Sequence, residues 1–308
     1  MITLAFIHSD RAFLPEIPAY NHFFQQRGMR TLELRPGERL PAETSVHWHL
    51  LGWESPGVTV TGIRIHEYAS ASLPPLRHLK NWMKVRFQPK PDFRLFLNVY
   101  VQKAFRFIDQ VPFGFRDMGV DESWLDLAPA LVPKTFDFIY SGSLEPGRRP
   151  ERLLSLFFQG HLKDRSLLVL GQDYAGLARR FQKAGNIRFL GPVPHGEVAA
   201  HIRQARYAIN WVPDQEPFSR QTSTKLLEYA ALRVPVITTR YRWVQEFEQE
   251  QGGRFFYLSP DLSNLDWEAV NRFPFAFPDL RRLTWEQRIE SSGVLDFLEA
   301  RFPGQGFR

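Results

Sequence analysis

The chain has 308 residues, of which 44% are hydrophobic and 23% charged, a composition typical of a soluble globular protein with enough apolar residues for two domains. It contains no cysteine, which excludes disulfide bonds and thiolate metal sites and favours an intracellular location. No apolar run approaches the roughly eighteen residues that a membrane span needs. The formal net charge of +6 predicts an anionic partner, of which nucleotides, nucleic acid and anionic lipid are the candidates.

The first part of the chain predicts strands that alternate with helices. The apolar segment from Met1 to His8 predicts a buried strand, because it is too short for a signal peptide and lacks flanking basic residues. A helix is expected to end near Gly28, a plausible C-cap. Further strands are predicted at residues 31–34, 45–51, 58–66 and 94–101. This alternation indicates a doubly wound parallel sheet.

A basic stretch at residues 76–94 carries six basic side chains and one acidic one, which is most of the chain's excess positive charge. Apolar residues recur within it at mostly helical spacing, namely Leu76, Leu79, Trp82, Met83 and Phe87. The pattern predicts either an amphipathic helix packed on the sheet with a solvated basic face, or a segment that docks on anionic lipid.

The second part of the chain restarts the alternation after a predicted linker at residues 127–134, where Pro129 and Pro133 lie. Strands are predicted at residues 136–140, 166–171, 186–191, 207–212 and 234–237. A last helix is expected at residues 285–302. Two doubly wound sheets follow, and ligands of such sheets gather at the carboxyl ends of the strands.

The segment from Arg220 to Thr239 has the strongest signal for a binding site. Thr222, Ser223 and Thr224 precede apolar residues at helical spacing, so they mark a helix start. Free backbone amides, hydroxyls and Lys225 at such a start predict a phosphate site, and Glu228 one turn further could accept hydrogen bonds from a ribose diol. The alternative is a surface ion pair between Lys225 and Glu228.

The sequence Ser-Thr-Lys-Leu-Leu-Glu-Tyr-Ala-Ala-Leu-x-Val-Pro-Val-Ile, which begins at Ser223, resembles the donor-binding signature of GT-B glycosyltransferases of the "group 1" (family 4) kind. Arg233 stands where that family usually has glycine. Residues 141–148, 168–171 and 189–193 resemble three further family segments, in the same order along the chain.

The resemblance implies an α/β protein of the GT-B class, with two doubly wound Rossmann-like domains that face each other across a cleft. Residues 1–130 would form the acceptor-side domain, and residues 131–284 would bind the nucleotide sugar. The C-terminal helix, at residues 285–308, would cross back and pack on the first domain.

The resemblance also assigns roles to residues. Ser143 replaces an arginine of the basic pair that clamps the diphosphate, and Arg148 stands at the position of its lysine. Arg220 occupies the place of a family glutamate, and Glu216, displaced by four residues, is either a sugar contact or a solvated loop acid. The residues expected in catalysis are His66, Arg148, Glu216 and Lys225. Those expected at the nucleotide are Gly142, Ser143, Arg148, Gly191, Val193, Thr222, Ser223, Thr224, Lys225 and Glu228.

The function implied by the resemblance is transfer of a sugar from a nucleotide-diphosphate sugar to a sugar or lipid-linked acceptor, in cell-surface polysaccharide or glycolipid synthesis. The family implies retention of configuration and no metal; no cofactor and no metal site are expected. We expect a cytoplasmic location, with peripheral contact to the inner face of the membrane through residues 76–94.

Three alternatives stay open. The first is a GT-B type epimerase or phosphorylase. The second is a non-catalytic nucleotide-sugar-binding protein, because Ser143 and Arg220 replace family residues. A nucleic-acid binder is less favoured, since the signature places the anion site in one pocket rather than along a stripe.

Overall fold

The computed structural model describes residues 1–9, 14–54, 62–127, 132–172 and 175–307. The start of the strand predicted at 58–66 and the middle of the predicted linker lie outside these ranges. The chain divides into two compact units, Met1–Gly119 with Arg282–Arg308 and Val120–Arg281. The division therefore falls earlier than the boundary predicted at residue 130, and the return to the first unit starts slightly before residue 285.

The first unit contains a six-stranded parallel sheet with the strand order β2-β1-β3-β4-β5-β6. Its strands are β1 (Thr3–Ile7), β2 (Arg30–Leu34), β3 (Val46–Leu50), β4 (Ile63–Tyr68), β5 (Phe93–Phe96) and β6 (Phe113–Phe115). Its first three helices are α1 (Glu16–Gln26), α2 (Arg77–Phe87) and α3 (Val99–Phe105). Every residue of β1, β3 and β5 is buried, as expected for parallel strands covered on both faces.

The strand predicted at residues 94–101 was wrong in its second half. Strand β5 ends at Phe96, and Val99 begins helix α3. The reason is the N-cap Asn98, whose side-chain oxygen accepts a hydrogen bond from the backbone N–H of Val101 at 3.0 Å. The β-branched and aromatic residues that suggested a strand therefore begin a helix.

The second unit contains another six-stranded parallel sheet, with the order β12-β11-β10-β7-β8-β9. Its strands are β7 (Phe136–Ser141), β8 (Leu167–Leu170), β9 (Ile187–Gly191), β10 (Ala205–Asn210), β11 (Val236–Thr239) and β12 (Phe256–Leu258). Its helices are α4 (Glu122–Leu125), α5 (Pro150–Phe158), α6 (Ala175–Arg180), α7 (His195–Arg203), α8 (Thr224–Ala231), α9 (Arg242–Gln251) and α10 (Trp267–Arg272). The chain winds outward from β7 in one direction and from β10 in the other, so the strand order reverses between these two strands. That reversal is where doubly wound sheets bind ligands.

The C-terminal segment belongs to the first unit and forms two helices, α11 (Trp285–Glu290) and α12 (Val294–Arg301). The single helix predicted at 285–302 was wrong in this respect, because Gly293 adopts a left-handed φ of 79° between them. Ile289, Leu295 and Leu298 pack into the same buried cluster as Trp48 of β3. In the described ranges no helix has both the length and the apolar character required to cross a membrane.

Candidate functional site

The loop after β7 lies at the point where the second sheet reverses its order. Gly142 has a φ of 136°, which residues with a side chain rarely adopt, and its N–H donates to the carbonyl of Leu170 at 2.9 Å. A Cβ on Gly171, at the end of β8, would overlap the carbonyl oxygen of Gly142. Gly171 in turn donates its N–H to Gly191, at the end of β9, at 3.1 Å. The two predicted glycines, Gly142 and Gly191, therefore lie on either side of Gly171 at the carboxyl ends of neighbouring strands.

Two buried tyrosines fix this loop. The N–H of Ser141 donates to the hydroxyl of Tyr229, on helix α8, at 2.8 Å. The hydroxyl of Tyr140 donates to the carbonyl of Ser143 at 2.7 Å. The loop and the helix that carries Lys225 are thereby held together, which pre-organises both for a common ligand.

Arg148 ends a short 3-10 turn, Pro146–Arg148, that follows the loop. Its Nε lies 3.1 Å from Oε1 of Glu145, and its guanidinium carbon lies 4.7 Å from the ring centre of Phe218. Its carbonyl accepts a hydrogen bond from the indole N–H of Trp211 at 2.6 Å. The Arg148 side chain is half-buried, with 21% of its surface exposed.

Lys225 lies in the first turn of α8 and is buried. Its ammonium donates to the carbonyl of Trp211 at 2.8 Å and lies 4.6 Å from the ring centre of Tyr140. Burial, and secondarily the charge of Arg148, lowers the pKa of Lys225 well below its ordinary value. An anion bound beside Lys225 and Arg148 would offset the burial and the repulsion that disfavour the charged form of Lys225.

The three hydroxyls predicted at the helix start have different surroundings. The Ser223 hydroxyl donates to Oδ1 of Asn210 at 2.8 Å, so it ties the start of α8 to the end of β10. The amide of Asn210 donates onward to the hydroxyls of Thr238 and Tyr241. Thr222 and Thr224 are half-buried on either side of Ser223. Ser223 thus has a structural anchoring role whether or not it also meets a phosphate.

Glu228 lies one turn after Lys225, with 14% of its side chain exposed. Burial raises the pKa of Glu228 to about 8, against the opposing effect of the Lys225 charge. Its Oε1 lies 3.9 Å from Nε2 of His195, the first residue of α7. The His195 ring is stacked on the buried ring of Trp124, with the centroids 5.2 Å apart and an angle of 19° between the planes. The sequence predictions included neither His195 nor Trp124, although His195 follows Val193 by only two residues.

Glu216 and Arg220 form an ion pair with each other, at 3.6 Å. Arg220 belongs to the 3-10 turn Phe218–Arg220, whose Phe218 contacts Arg148. The loop that carries Glu216 therefore lies close to Arg148. The Glu216 carboxylate lies beside Arg220, the arginine that replaces the family glutamate.

His66 lies in β4 of the first unit, with its side chain fully buried. Its Nε2 is 3.5 Å from Oε2 of Glu54, which also pairs with Arg64 at 2.9 Å and lies 3.8 Å from Nε2 of His49. Burial lowers the pKa of His66. His66 lies in the interior of the first unit, and its role in catalysis stays a prediction.

Within the described residues, no group of three or more histidine or carboxylate side chains could hold a metal ion.

Residues 77–87 of the basic stretch form helix α2, and Arg94 at its end lies in strand β5. In this stretch a polar residue and two of the bases point inward, whereas the apolar residues are exposed. Asn81 is the buried residue of the helix, and it donates to the carbonyl of Ala104 and accepts from the N–H of Ser72. Two of the six bases point inward: Lys84 donates to the carbonyl of Leu51 at 2.9 Å, and Arg94 pairs with Asp109. The apolar residues point outward, with exposed fractions of 39% to 67%: Leu76, Leu79, Trp82, Met83 and Phe87.

The comparisons with known proteins agree with this geometry. Residues 135–265 match the family described as "Glycosyl transferases group 1". No curated protein sequence matches the chain significantly. Among solved structures, the chain is similar to AviGT4, a glycosyltransferase involved in avilamycin A biosynthesis (14% identity, 99% of this chain and 97% of that one, TM-score 0.58). It is also similar to sucrose-phosphate synthase from Thermosynechococcus elongatus (12%, 98% and 98%, TM-score 0.60) and to HepE of Anabaena in complex with UDP and glucose (9%, 98% and 96%, TM-score 0.57).

These similarities confirm the predicted fold class: two parallel six-stranded sheets with helices, as in GT-B glycosyltransferases. The family match covers the segment that carries Arg148, Lys225 and Glu228. The match of residues 135–265 to the group 1 glycosyltransferases supports glycosyltransferase activity for the second unit.

Proposed function

We propose that this enzyme binds a nucleotide-diphosphate sugar in its second unit and transfers the sugar to an acceptor with retention of configuration and without a metal ion. One observation carries the proposal. The cations Arg148 and Lys225 flank the Gly142 loop where the sheet order reverses, and Glu228 lies one helical turn further along α8.

Each group has a role in such a transfer. The bond between the anomeric carbon and the phosphate oxygen breaks and its electron pair leaves with the diphosphate. The acceptor hydroxyl forms the new bond, and its proton passes to the departing diphosphate. Arg148 and Lys225 offset the charge that develops on the diphosphate. Gly142 has no side chain and so allows the phosphates to approach the backbone closely. Glu228 accepts hydrogen bonds from the ribose.

HepE, which shares the fold, has been crystallised with UDP-glucose and with UDP and glucose, so uridine nucleotides are the first donors to test. We propose an acceptor that is a sugar or a lipid-linked sugar, a role in cell-surface polysaccharide or glycolipid synthesis, and action in the cytoplasm. We propose no organic cofactor.

Calorimetry with UDP, GDP and ADP tests the clamp. Lys225→Ala and Arg148→Ala should each weaken diphosphate binding by about 1.5–3 kcal/mol, the scale of a charge-assisted hydrogen bond, while binding of the nucleoside alone changes little. Lys183→Ala, which removes an exposed cation of the same unit, is the matched control and should bind as the wild type does. Unchanged diphosphate affinity in both clamp variants would show that the pocket is assigned wrongly.

The second candidate function is epimerisation of a nucleotide sugar. The observation behind it is that UDP-N-acetylglucosamine 2-epimerase from Rickettsia bellii shares the fold over the whole chain, with 12% identity and a TM-score of 0.56. Proton NMR of a donor incubated with the enzyme separates the two reactions. Transfer releases the free nucleoside diphosphate, whereas epimerisation yields a second nucleotide sugar with the diphosphate linkage intact.

We further propose that α2 docks on an anionic lipid surface and brings a lipid-linked acceptor to the enzyme. Its outward apolar side chains are bordered by the exposed bases Lys80, Arg86 and Lys90, and Trp82 is 54% exposed. Each base near such a surface contributes about 1 kcal/mol, so several suffice for reversible binding.

Flotation with vesicles that contain phosphatidylserine tests this docking. Lys80→Glu combined with Arg86→Glu should reduce binding at low salt and leave nucleotide affinity unchanged. Lys84 is unsuitable for the test, because its ammonium bonds to the carbonyl of Leu51 inside the unit. The control is Lys183→Glu in the second unit. A wild type that stays unbound at low salt would contradict the proposal and indicate a soluble acceptor.

A further inference from the structure

The second unit brings together three side chains that lie far apart in the sequence. Trp124 comes from α4, His195 begins α7, and Glu228 lies on α8. Helices α4 and α8 pack against each other, and the Trp124 ring is buried at 6% exposure. Parallel stacking on this ring holds the imidazole in one plane, and Nε2 then lies 3.9 Å from Glu228.

The separation of His195 and Glu228 indicates a site for a hydroxyl group. At 3.9 Å the two atoms are too far apart to form a direct hydrogen bond, which requires about 2.7–3.2 Å. A hydroxyl oxygen placed about 2.8 Å from both atoms fits this separation, since it can donate to the carboxyl oxygen and accept from an imidazole N–H.

The charges of the two groups argue against the simpler interpretation of an ion pair. Burial lowers the pKa of His195, with an opposing effect from Asp121, and burial raises the pKa of Glu228. Both shifts favour the neutral forms, whereas an ion pair would shift them the other way. The two side chains are therefore polar partners that are close to each other without being bonded.

We propose that His195 and Glu228 together recognise the ribose diol of the bound nucleotide, and that Trp124 acts as a positioning residue that holds the imidazole. This inference rests on the proposed nucleotide site, because Glu228 is part of it. It adds a second ribose contact that the donor signature does not contain, and it makes the site selective for ribonucleotides over deoxyribonucleotides.

The experiment compares two ligands: the tightest binder among UDP, GDP and ADP, and its 2′,3′-dideoxy form. His195→Phe keeps the stacking on Trp124 and removes the hydrogen bond. We expect it to lower affinity for the ribonucleotide about tenfold and to leave affinity for the dideoxy form unchanged. His195→Asn retains a donor and an acceptor of hydrogen bonds and should restore part of the loss. Glu228→Gln should show the same selectivity as His195→Phe, and the control His201→Ala, on the same helix, should bind as the wild type does.

The outcomes separate this inference from the proposed function. Equal affinity of wild type and His195→Phe for the ribonucleotide, with Lys225→Ala still impaired, would overturn the ribose contact and keep the nucleotide site. Equal losses for both ligands in His195→Phe would also overturn it, because the imidazole would then act only on the local structure. Absence of nucleotide binding in the wild type would overturn both. Trp124→Leu should reproduce the selective loss of His195→Phe in a milder form.

Discussion

Glu228 should make the protein less stable as the pH rises when no nucleotide is added. Its carboxyl is buried beside Lys225, and burial raises its pKa from an ordinary 4.5 to about 8. The folded state therefore holds a proton that the unfolded chain releases above pH 4.5. Stability from this group is fully present below pH 4.5 and is lost progressively until the pH exceeds the folded pKa.

The magnitude follows from the size of the shift. A difference of about 3.5 pKa units corresponds to roughly 5 kcal/mol above pH 8, and to roughly 3 kcal/mol at pH 7. These are upper figures, because Glu228 retains 14% exposure of its side chain. Glu228→Gln keeps the size and removes the ionisation. We therefore expect the free energy of unfolding of this variant to exceed that of the wild type by about 1–3 kcal/mol at pH 7.5. At pH 4.5 the two proteins should be almost equally stable.

Urea titrations of both proteins at pH 4.5, 6 and 7.5 measure this difference, and Glu250→Gln, at an exposed position in the last turn of α9, is the control. A saturating nucleoside diphosphate should shrink the difference at pH 7.5, since the ribose contacts are lost in the variant. If the free energies of unfolding of wild type and Glu228→Gln depend on pH in the same way, the reasoning is refuted. Ionisation of the buried carboxyl would then have no effect on stability.

Two further predictions concern packing. Gly171→Ala should weaken diphosphate binding at least tenfold and destabilise the second unit by about 1–3 kcal/mol, because the new methyl group overlaps the Gly142 carbonyl. Calorimetry measures the first effect and urea unfolding the second. Gly185→Ala is the control for both, because the space around Gly185 is open. Arg116→Met should lower the free energy of unfolding in urea by about 3–5 kcal/mol, because it leaves Glu16 and Glu67 buried without their cation. Arg30→Met breaks an exposed pair with Glu43 and should lower it by less than about 1 kcal/mol. Equal losses for the two arginine variants would contradict the second prediction.

The sequence predicted the fold class because its signals were local. Buried apolar runs such as β1 and β8, and the capped helix after Ser223, are readable from a few adjacent residues. Boundaries depended on single side chains with specific hydrogen bonds: Asn98 converts the end of a predicted strand into a helix, and Gly293 breaks a predicted helix. Both residues were visible in the sequence, but only the structure shows which of their conformations is adopted.

The parts of the site that escaped prediction depend on contacts between distant residues. His195 and Trp124 meet through helix packing across 71 positions of sequence, and no spacing rule indicates it. In the same way, Lys84 and Arg94 counted as surface charge in the sequence, yet both bond to groups inside the first unit. Fewer positive charges are therefore exposed at α2 than the sequence suggested. In the proposed binding to an anionic lipid surface, the exposed apolar side chains would contribute a correspondingly larger share.

Lys225 and Glu228 are two buried ionisable groups that burial disfavours in their charged forms, and the proposed nucleotide would offset this effect. Lys225 is a buried amine whose nitrogen donates to a neutral carbonyl and whose pKa burial lowers, and Glu228 is a buried acid whose pKa burial raises. A diphosphate supplies the negative charge that favours the ammonium form, and a ribose diol supplies the donors that favour the carboxylate. Ligand binding should therefore shift both pKa values back toward their ordinary ranges. Since Lys225 would take up protons while Glu228 releases them, the net proton exchange measured in buffers of different ionisation enthalpy should change in opposite directions in Lys225→Ala and Glu228→Gln. The same sign of change in both variants would contradict this coupling.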